Sequence, residues 1–508
     1  MWGLGLQTKK LLDAGAQLDR LLARRNVWIS AIAVSLVLQA ALVLVHRPWI
    51  DEWQAALIAL LSPDLKALLA NLRYEAHPPL WYLILRAVGW IVPPMAVLAT
   101  TQLVIAAAAQ LVIFCTVALP RLHRLLWALS YFTLIEFGSL SRSIGLGILL
   151  VTVATLGKAR WIKWAAIILL PMVDFQFGLL SLVALALLWR EGDRSIVGFV
   201  LWACSGCLAA LSILPAPDMV PALSQRSYIF DFFEAVSTMS VMLVPFHFWP
   251  GTIDWPQWWP QPIGIVLGLI AIWLADLQMR KDPLHRLAFH LFLWTCILFT
   301  TFIYRFGLRH FSLVAWLFIL LVALQYRDGK PAKAPFTMWL GVTAAMGLWG
   351  ALVAFTTPFD TSHRLADAIR KRGLENSLLV SWPMATAVPL TVELGQEIVA
   401  LEKQCTQSFQ RWNVKDIGLD AKKVGAAMDL FAQKHGRYTL ISSYDLSAAR
   451  PFVKLRLIEE IPAGFNGFEF YLYDVAYDRP NSGIRLPRCA PARLGIEFMR
   501  SDLPRTGG

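Results

Sequence analysis

The chain is poor in charge. Asp, Glu, Lys and Arg make up 16% of its 508 residues, against 57% hydrophobic, where soluble domains run to about 25% charged. Residues 357–508 carry no glycine-rich phosphate loop and no zinc-ligand spacing, and the chain shows none of the internal repeats that transporters often have. It is expected to have no cleavable signal peptide, because residues 1–25 lack an apolar core ahead of a small-residue cleavage site. Cysteine is scarce, six in all, which excludes a disulfide scaffold. Cys115, Cys204, Cys207 and Cys296 fall in apolar runs and read as packing residues. Cys405 and Cys489 fall in the tail, where a disulfide forms if that tail faces an oxidising compartment.

Apolar runs recur from about residue 26 to residue 356, and a span needs roughly 20 apolar residues. The fold class is therefore a polytopic α-helical membrane protein. A transmembrane domain covers 1–356 and a soluble α/β domain covers 357–508. The net charge of +12 belongs to topology, not to nucleic acid, for which no motif is present. Arg86 and two flanking prolines interrupt "HPPLWYLILRAVGWIVPP", so this stretch is read as a flat interfacial helix. About 11 spans then follow, at 26–46, 95–118, 122–139, 142–158, 161–174, 175–190, 195–215, 261–279, 286–304, 308–326 and 336–356. That threading puts most of the Lys and Arg of residues 1–356 on one side. By the positive-inside rule, the N-terminus is cytoplasmic and the tail periplasmic, in a bacterial inner membrane.

The tail alternates helical and strand patterns. "TSHRLADAIRKRGL" and "DAKKVGAAMDLFAQKHG" have helical spacing, and "MATAVPLTVELG" reads as a helix. "NSLLVSWP", "QEIVAL", "RYTLISSY", "FVKLRLIEEI" and "FEFYLYDVAY" read as strands. "FHFWPGTIDWPQWWPQP" reads as an interfacial aromatic belt, or as a lid that stacks on a sugar.

The same threading gathers polar residues at the outer edge. Asp51 and Glu52 follow the first span and open two short interfacial helices, "DEWQAALIALLS" and "PDLKALLANLRY". His77 comes next. Glu136 and Arg142 lie at one turn, Asp174 and Gln176 at another, and Arg305, Arg309 and His310 at a third. Each has a plainer reading as a helix cap, a buried pair or a snorkelling headgroup anchor. Gathered on one face, they suit group transfer from a lipid phosphate. A carboxylate accepts a proton from an attacking hydroxyl, and arginine and histidine hold the phosphate. Partial desolvation is expected to raise that carboxylate's pKa.

Asp51-Glu52, then His77-Pro78-Pro79-Leu80, then Ser141-Arg142, then Arg309-His310 resemble, in order and spacing, the GT-C superfamily of membrane glycosyltransferases. The branch is that of protein O-mannosyltransferases and aminoarabinose transferases, and the resemblance covers most of residues 26–330. "MVDFQFG" departs from the branch's usual turn after the fifth span. The resemblance implies an inverting transferase that uses a polyprenyl-phosphate sugar and an envelope acceptor, which is a lipid, a glycan or a protein. It implies Asp51 as base, with Glu52 second. The gathering of residues at the outer edge, and not the resemblance, assigns phosphate contacts to Arg142, Arg305, Arg309 and His310, and substrate contacts to His77, Glu136, Asp174 and Gln176. No cofactor is certain; a divalent metal is left open. The alternative is a transporter or flippase for a lipid-linked sugar or another anionic lipid, which would place its charges at the midplane.

Overall fold

The structure is a computed structural model that describes residues 15, 17–219, 227–245, 261–330, 332–413, 419–477 and 486–490. Most of the N-terminal amphipathic segment and most of the aromatic belt at 246–262 lie outside the described residues.

Among the described residues up to 356, the apolar stretches form helices. Six of the described helices are long and apolar enough to cross a membrane: Arg25–Val45 (α1), Pro94–Thr116, Gln261–Met279, Pro283–Phe302, Leu308–Arg327 and Ala334–Thr356. The chain is thus a multi-pass membrane protein, but the expected count of about 11 spans is not supported. The other apolar stretches make shorter helices. Ser143–Leu156 has 14 residues, Phe175–Arg190 has 16 and Ile196–Ser212 has 17. At 1.5 Å per residue they reach about 21–26 Å, short of a hydrocarbon core of about 30 Å. Arg160–Leu169 breaks into a 3-10 turn through Met172.

The stretch expected to span at 122–139 is broken outright. Arg121–Ala128 is helical, and Phe132–Glu136 then widens into a π turn. Freed carbonyls need partners where water is scarce. Gln102 Nε2 donates to Phe137 O at 2.8 Å and Gly138 O at 3.0 Å. Gln39 Nε2 donates to Leu134 O at 3.2 Å. Gly138 has no room for a Cβ, which would strike Thr133 O and the Gln39 amide.

Between the first two long helices lie α2 (Ile50–Leu61), α3 (Leu65–Leu72) and α4 (Leu80–Val88). The flat-helix expectation holds here, because α4 has nine residues and cannot span. Asp64 caps α3 by accepting from Ala67 N at 2.7 Å. The other elements used below are α5 (Val97–Thr116), α6 (Arg121–Ala128), α7 (Ser143–Leu156), α8 (Arg160–Leu169), α9 (Phe175–Arg190), α10 (Ile196–Ser212), α11 (Tyr228–Thr238), α12 (Gln261–Met279), α13 (Pro283–Phe302), α14 (Leu308–Arg327) and α15 (Ala334–Thr356). Helix α14 is almost wholly buried. Of the cysteines read as packing residues, Cys296 is buried, whereas Cys115, Cys204 and Cys207 lie on exposed helix faces.

After α15 comes a sheet domain. Its strands are β1 (Leu379–Ser381), β2 (Ile398–Ala400), β3 (Cys405–Gln407), β4 (Tyr438–Ser442), β5 (Leu455–Ile461) and β6 (Phe470–Val475), in the order β3-β2-β1-β4-β6-β5. β1 runs parallel to β2 and β4, and the other pairs are antiparallel. Alternation sends Tyr438 and Leu440 to one core and Ile441 to the other. The first core holds α18 (Ala421–His435), and the second holds α16 (Ser362–Lys371) and α17 (Val388–Leu394). Cys405 and Cys489 form a disulfide.

Candidate functional site

The acids that open α2 play different parts. Glu52 is fully buried. Its carboxylate accepts from Trp49 N at 3.0 Å, from His46 Nε2 at 2.8 Å and from Ser141 N. It ties the end of the first span to the turn before α7, and its oxygens are spent on that task. Asp51, one residue earlier on the helix, keeps a side chain 40% accessible. Arg142 Nη1 lies 2.6 Å from its carboxylate and Arg309 Nη2 lies 3.5 Å away. Burial works against the Asp51 charge, but Arg142, then Arg309, outweigh it and hold the carboxyl below its ordinary range. The expected rise from desolvation is therefore reversed, because two guanidinium groups face one acid.

These groups come from distant parts of the chain for a shared local reason. Arg142 is the N-cap residue of α7, and Asp174 is that of α9. Asp51 sits in the first turn of α2, and Arg309 in the first turn of α14. Four helices thus begin at one cluster, and their free N–H groups favour anions there. The Arg309 guanidinium also rests over the Trp49 ring at 5.2 Å.

A second set adjoins the first. His77 Nδ1 lies 3.0 Å from Asp174 Oδ2. Gln176 N donates to Asp174 Oδ1 at 3.3 Å, and Gln176 Nε2 donates to His310 O at 3.3 Å. The His310 ring stacks on Phe306 at 4.6 Å and accepts from Gly307 N at 3.1 Å. Glu136, buried in the π turn, accepts from the Tyr131 hydroxyl at 3.3 Å and faces Arg309.

Arg305 departs from its expected place. It pairs with the fully buried Asp231 at 2.6 Å and lies 3.6 Å from Glu234, both on α11. The buried carboxylate draws it away from Asp51. Asp231 and Glu234 carry no motif, so nothing in the sequence pointed to this pairing.

Sequence reading also missed Glu75 and Tyr82. Glu75 is within electrostatic reach of Asp51, His77 and Arg142, and burial pushes its carboxyl up. Gln54 Nε2 donates to it at 2.7 Å. Tyr82 on α4 faces Glu75, Arg142, Asp174 and Asp51. Both lie inside "EAHPPLWYLILR", the stretch that carries His77, which was the available signal.

Among the described residues, no group of three or more His, Cys, Asp or Glu side chains is placed to hold a metal ion. The cluster pairs carboxylates with guanidinium groups instead, a donor set that suits an anion. The chain matches no known family profile, no curated protein and no solved structure.

Proposed function

We propose that the chain is an inverting membrane glycosyltransferase of the GT-C kind. It moves a sugar from a polyprenyl-phosphate donor to an envelope acceptor (lipid, glycan or protein) on the outer face of a bacterial inner membrane. Its N-terminus lies inside and its sheet domain in the periplasm. The observation that carries this reading is the accessible Asp51 carboxylate between Arg142 and Arg309, at a point where four helix N-termini meet.

Such a site is built for a phosphate that arrives on a lipid. At rest, Asp51 pairs with both arginines and leaves a net positive charge between them. A donor phosphate competes for them through charge-assisted, bidentate bonds. The carboxylate is then released toward the acceptor, which it orients, and the arginines take the charge that grows on the leaving phosphate. His310 and Gln176 border that space. Glu52 acts as scaffold, and Arg305 serves α11.

Charge placement favours transfer over transport. The site lies at helix starts, not at their midpoints. A second charge network gathers at the other end of α14, where Arg327 meets Glu191 at 2.6 Å and Lys163 meets the same acid at 2.6 Å.

The test uses the purified full chain in nanodiscs, a panel of polyprenyl-phosphate sugars and an envelope extract as acceptor. Wild type should consume a donor, and Asp51→Asn should lose about 100-fold or more. Equal consumption by both proteins would reduce Asp51 to a helix-capping residue. No consumption by wild type would sink the transferase reading.

A further inference from the structure

We infer that His77, oriented by Asp174, is the base that takes the acceptor's proton. This rests on the transferase reading and deepens it by naming the group that activates the nucleophile.

His77 is held where a reactive ring would be held. It follows Ala76, whose φ of 54° puts a non-glycine residue in the left-handed region. Such a conformation is costly for a residue with a Cβ and persists only where its surroundings impose it. Pro78 and Pro79 follow and stiffen the exit into α4. The ring is thus presented from a strained corner between α3 and α4.

Its partner settles the tautomer. Nδ1 lies 3.0 Å from Asp174 Oδ2, and a carboxylate there accepts the Nδ1 proton. In the neutral ring, Nε2 then carries the lone pair. Asp174 is itself fixed as the cap of α9 through Gln176 N. The His77 side chain is 30% accessible and that of Asp174 is 14%, so the ring is open on one side while its orienting acid is recessed. Asp51, by contrast, is paired with two arginines at rest and orients the acceptor once they are taken by the phosphate.

The step balances. The acceptor oxygen forms a bond to the anomeric carbon while the bond from that carbon to the phosphate oxygen breaks. The electron pair leaves with the polyprenyl phosphate, which Arg142 and Arg309 receive. The acceptor's hydroxyl proton passes to His77 Nε2. His77 is then a catalytic residue, and Asp174 is a positioning residue.

Two measurements test this on the full chain in nanodiscs. The first compares donor consumption by wild type, His77→Ala and Asp174→Asn, with and without added imidazole. His77→Ala should fall about 10²–10⁴-fold, and imidazole should restore part of the loss. Asp174→Asn, which keeps the ring, should fall without rescue. Wild-type turnover in His77→Ala would overturn the base while leaving the transferase intact. A low activity that imidazole does not raise would overturn it too. No consumption by wild type would overturn the transferase reading, and the base with it.

The second measurement needs no activity. In ¹⁵N-histidine spectra the neutral His77 ring should show a protonated Nδ1 and a bare Nε2, and Asp174→Asn should shift it toward the Nε2–H form. A wild-type ring protonated at Nε2 would overturn the proposal whatever the activity.

Discussion

Asp360 stands where the last membrane helix hands over to the sheet domain. It is fully buried and accepts from Ser362 N at 2.8 Å and Asn466 Nδ2 at 3.0 Å. Burial pushes its carboxyl up to about 6, against an ordinary 3.8, and the nearby Glu52 adds to the rise. The folded chain therefore binds this proton more tightly than the unfolded chain does. The stability it contributes is fully present below about pH 3.8 and is lost as pH climbs through about 6. Two units amount to at most about 3 kcal/mol. Asp360→Asn keeps the shape and removes the titration. Its thermal midpoint should gain on wild type between pH 4 and pH 7.5, and a constant difference across that range would show that Asp360 does not govern the junction.

At the scale of elements, the broken helix after α6 puts the site together. The π turn lets the chain reverse early enough for Arg142 to begin α7 beside Asp51. Its carbonyls are satisfied by Gln39 and Gln102 from neighbouring helices, and Gln110 Nε2 in turn donates to Gln39 Oε1 at 3.1 Å. Gln102→Leu would strand Phe137 O and Gly138 O at a cost of about 1–3 kcal/mol each. The expected result is a lower thermal midpoint in detergent together with weakened donor consumption. Unchanged stability would mean that other donors, or water, replace the amide. This is also where sequence reading met its limit. The strands around Leu440 and Leu472 announced themselves by alternation, and α18 by helical spacing and Gly436. The acids, arginines and histidines of the rim were legible because charge in an apolar chain is conspicuous. An apolar run does not say where it breaks, because the residues that accommodate the break, Gln39 and Gln102, lie on other helices. Arg305 went astray for the same reason, since Asp231 is 74 positions away. β3 is as short as β1 and β2 but consists of Cys405, Thr406 and Gln407, without the apolar run that marks the other two.

Over the whole molecule, the sheet domain is fastened to the loop that carries the site. Gln54 and Gln410 exchange a reciprocal pair of bonds, Gln54 Nε2 to Gln410 O at 2.7 Å and Gln410 N to Gln54 Oε1 at 2.9 Å. The same Gln54 amide holds Glu75. Arg411 Nε donates to Asn71 Oδ1 at 3.0 Å, and its Nη1 donates to Ala490 O at 2.5 Å. Trp49 stacks with Phe468 at 6.0 Å and meets Phe359 edge-on at 6.1 Å. The Cys405–Cys489 bond closes a loop of 84 positions and keeps residues 486–490 against β3, where Cys489 N donates to Thr406 O at 3.0 Å. Replacing both cysteines with serine should cost the domain about 2–4 kcal/mol. It should also loosen Ala490 from Arg411, so donor consumption should fall more than the thermal midpoint of the helical part. The disulfide makes the orientation testable, because such bonds persist in oxidising compartments. In intact cells, a membrane-impermeant maleimide should label Cys405 and Cys489 only after reduction. Labelling only after the cells are lysed would place the sheet domain on the cytoplasmic side and move the transferase reading to the opposite face of the membrane, whereas labelling of intact cells without reductant would keep the domain outside and show that the two cysteines do not pair there.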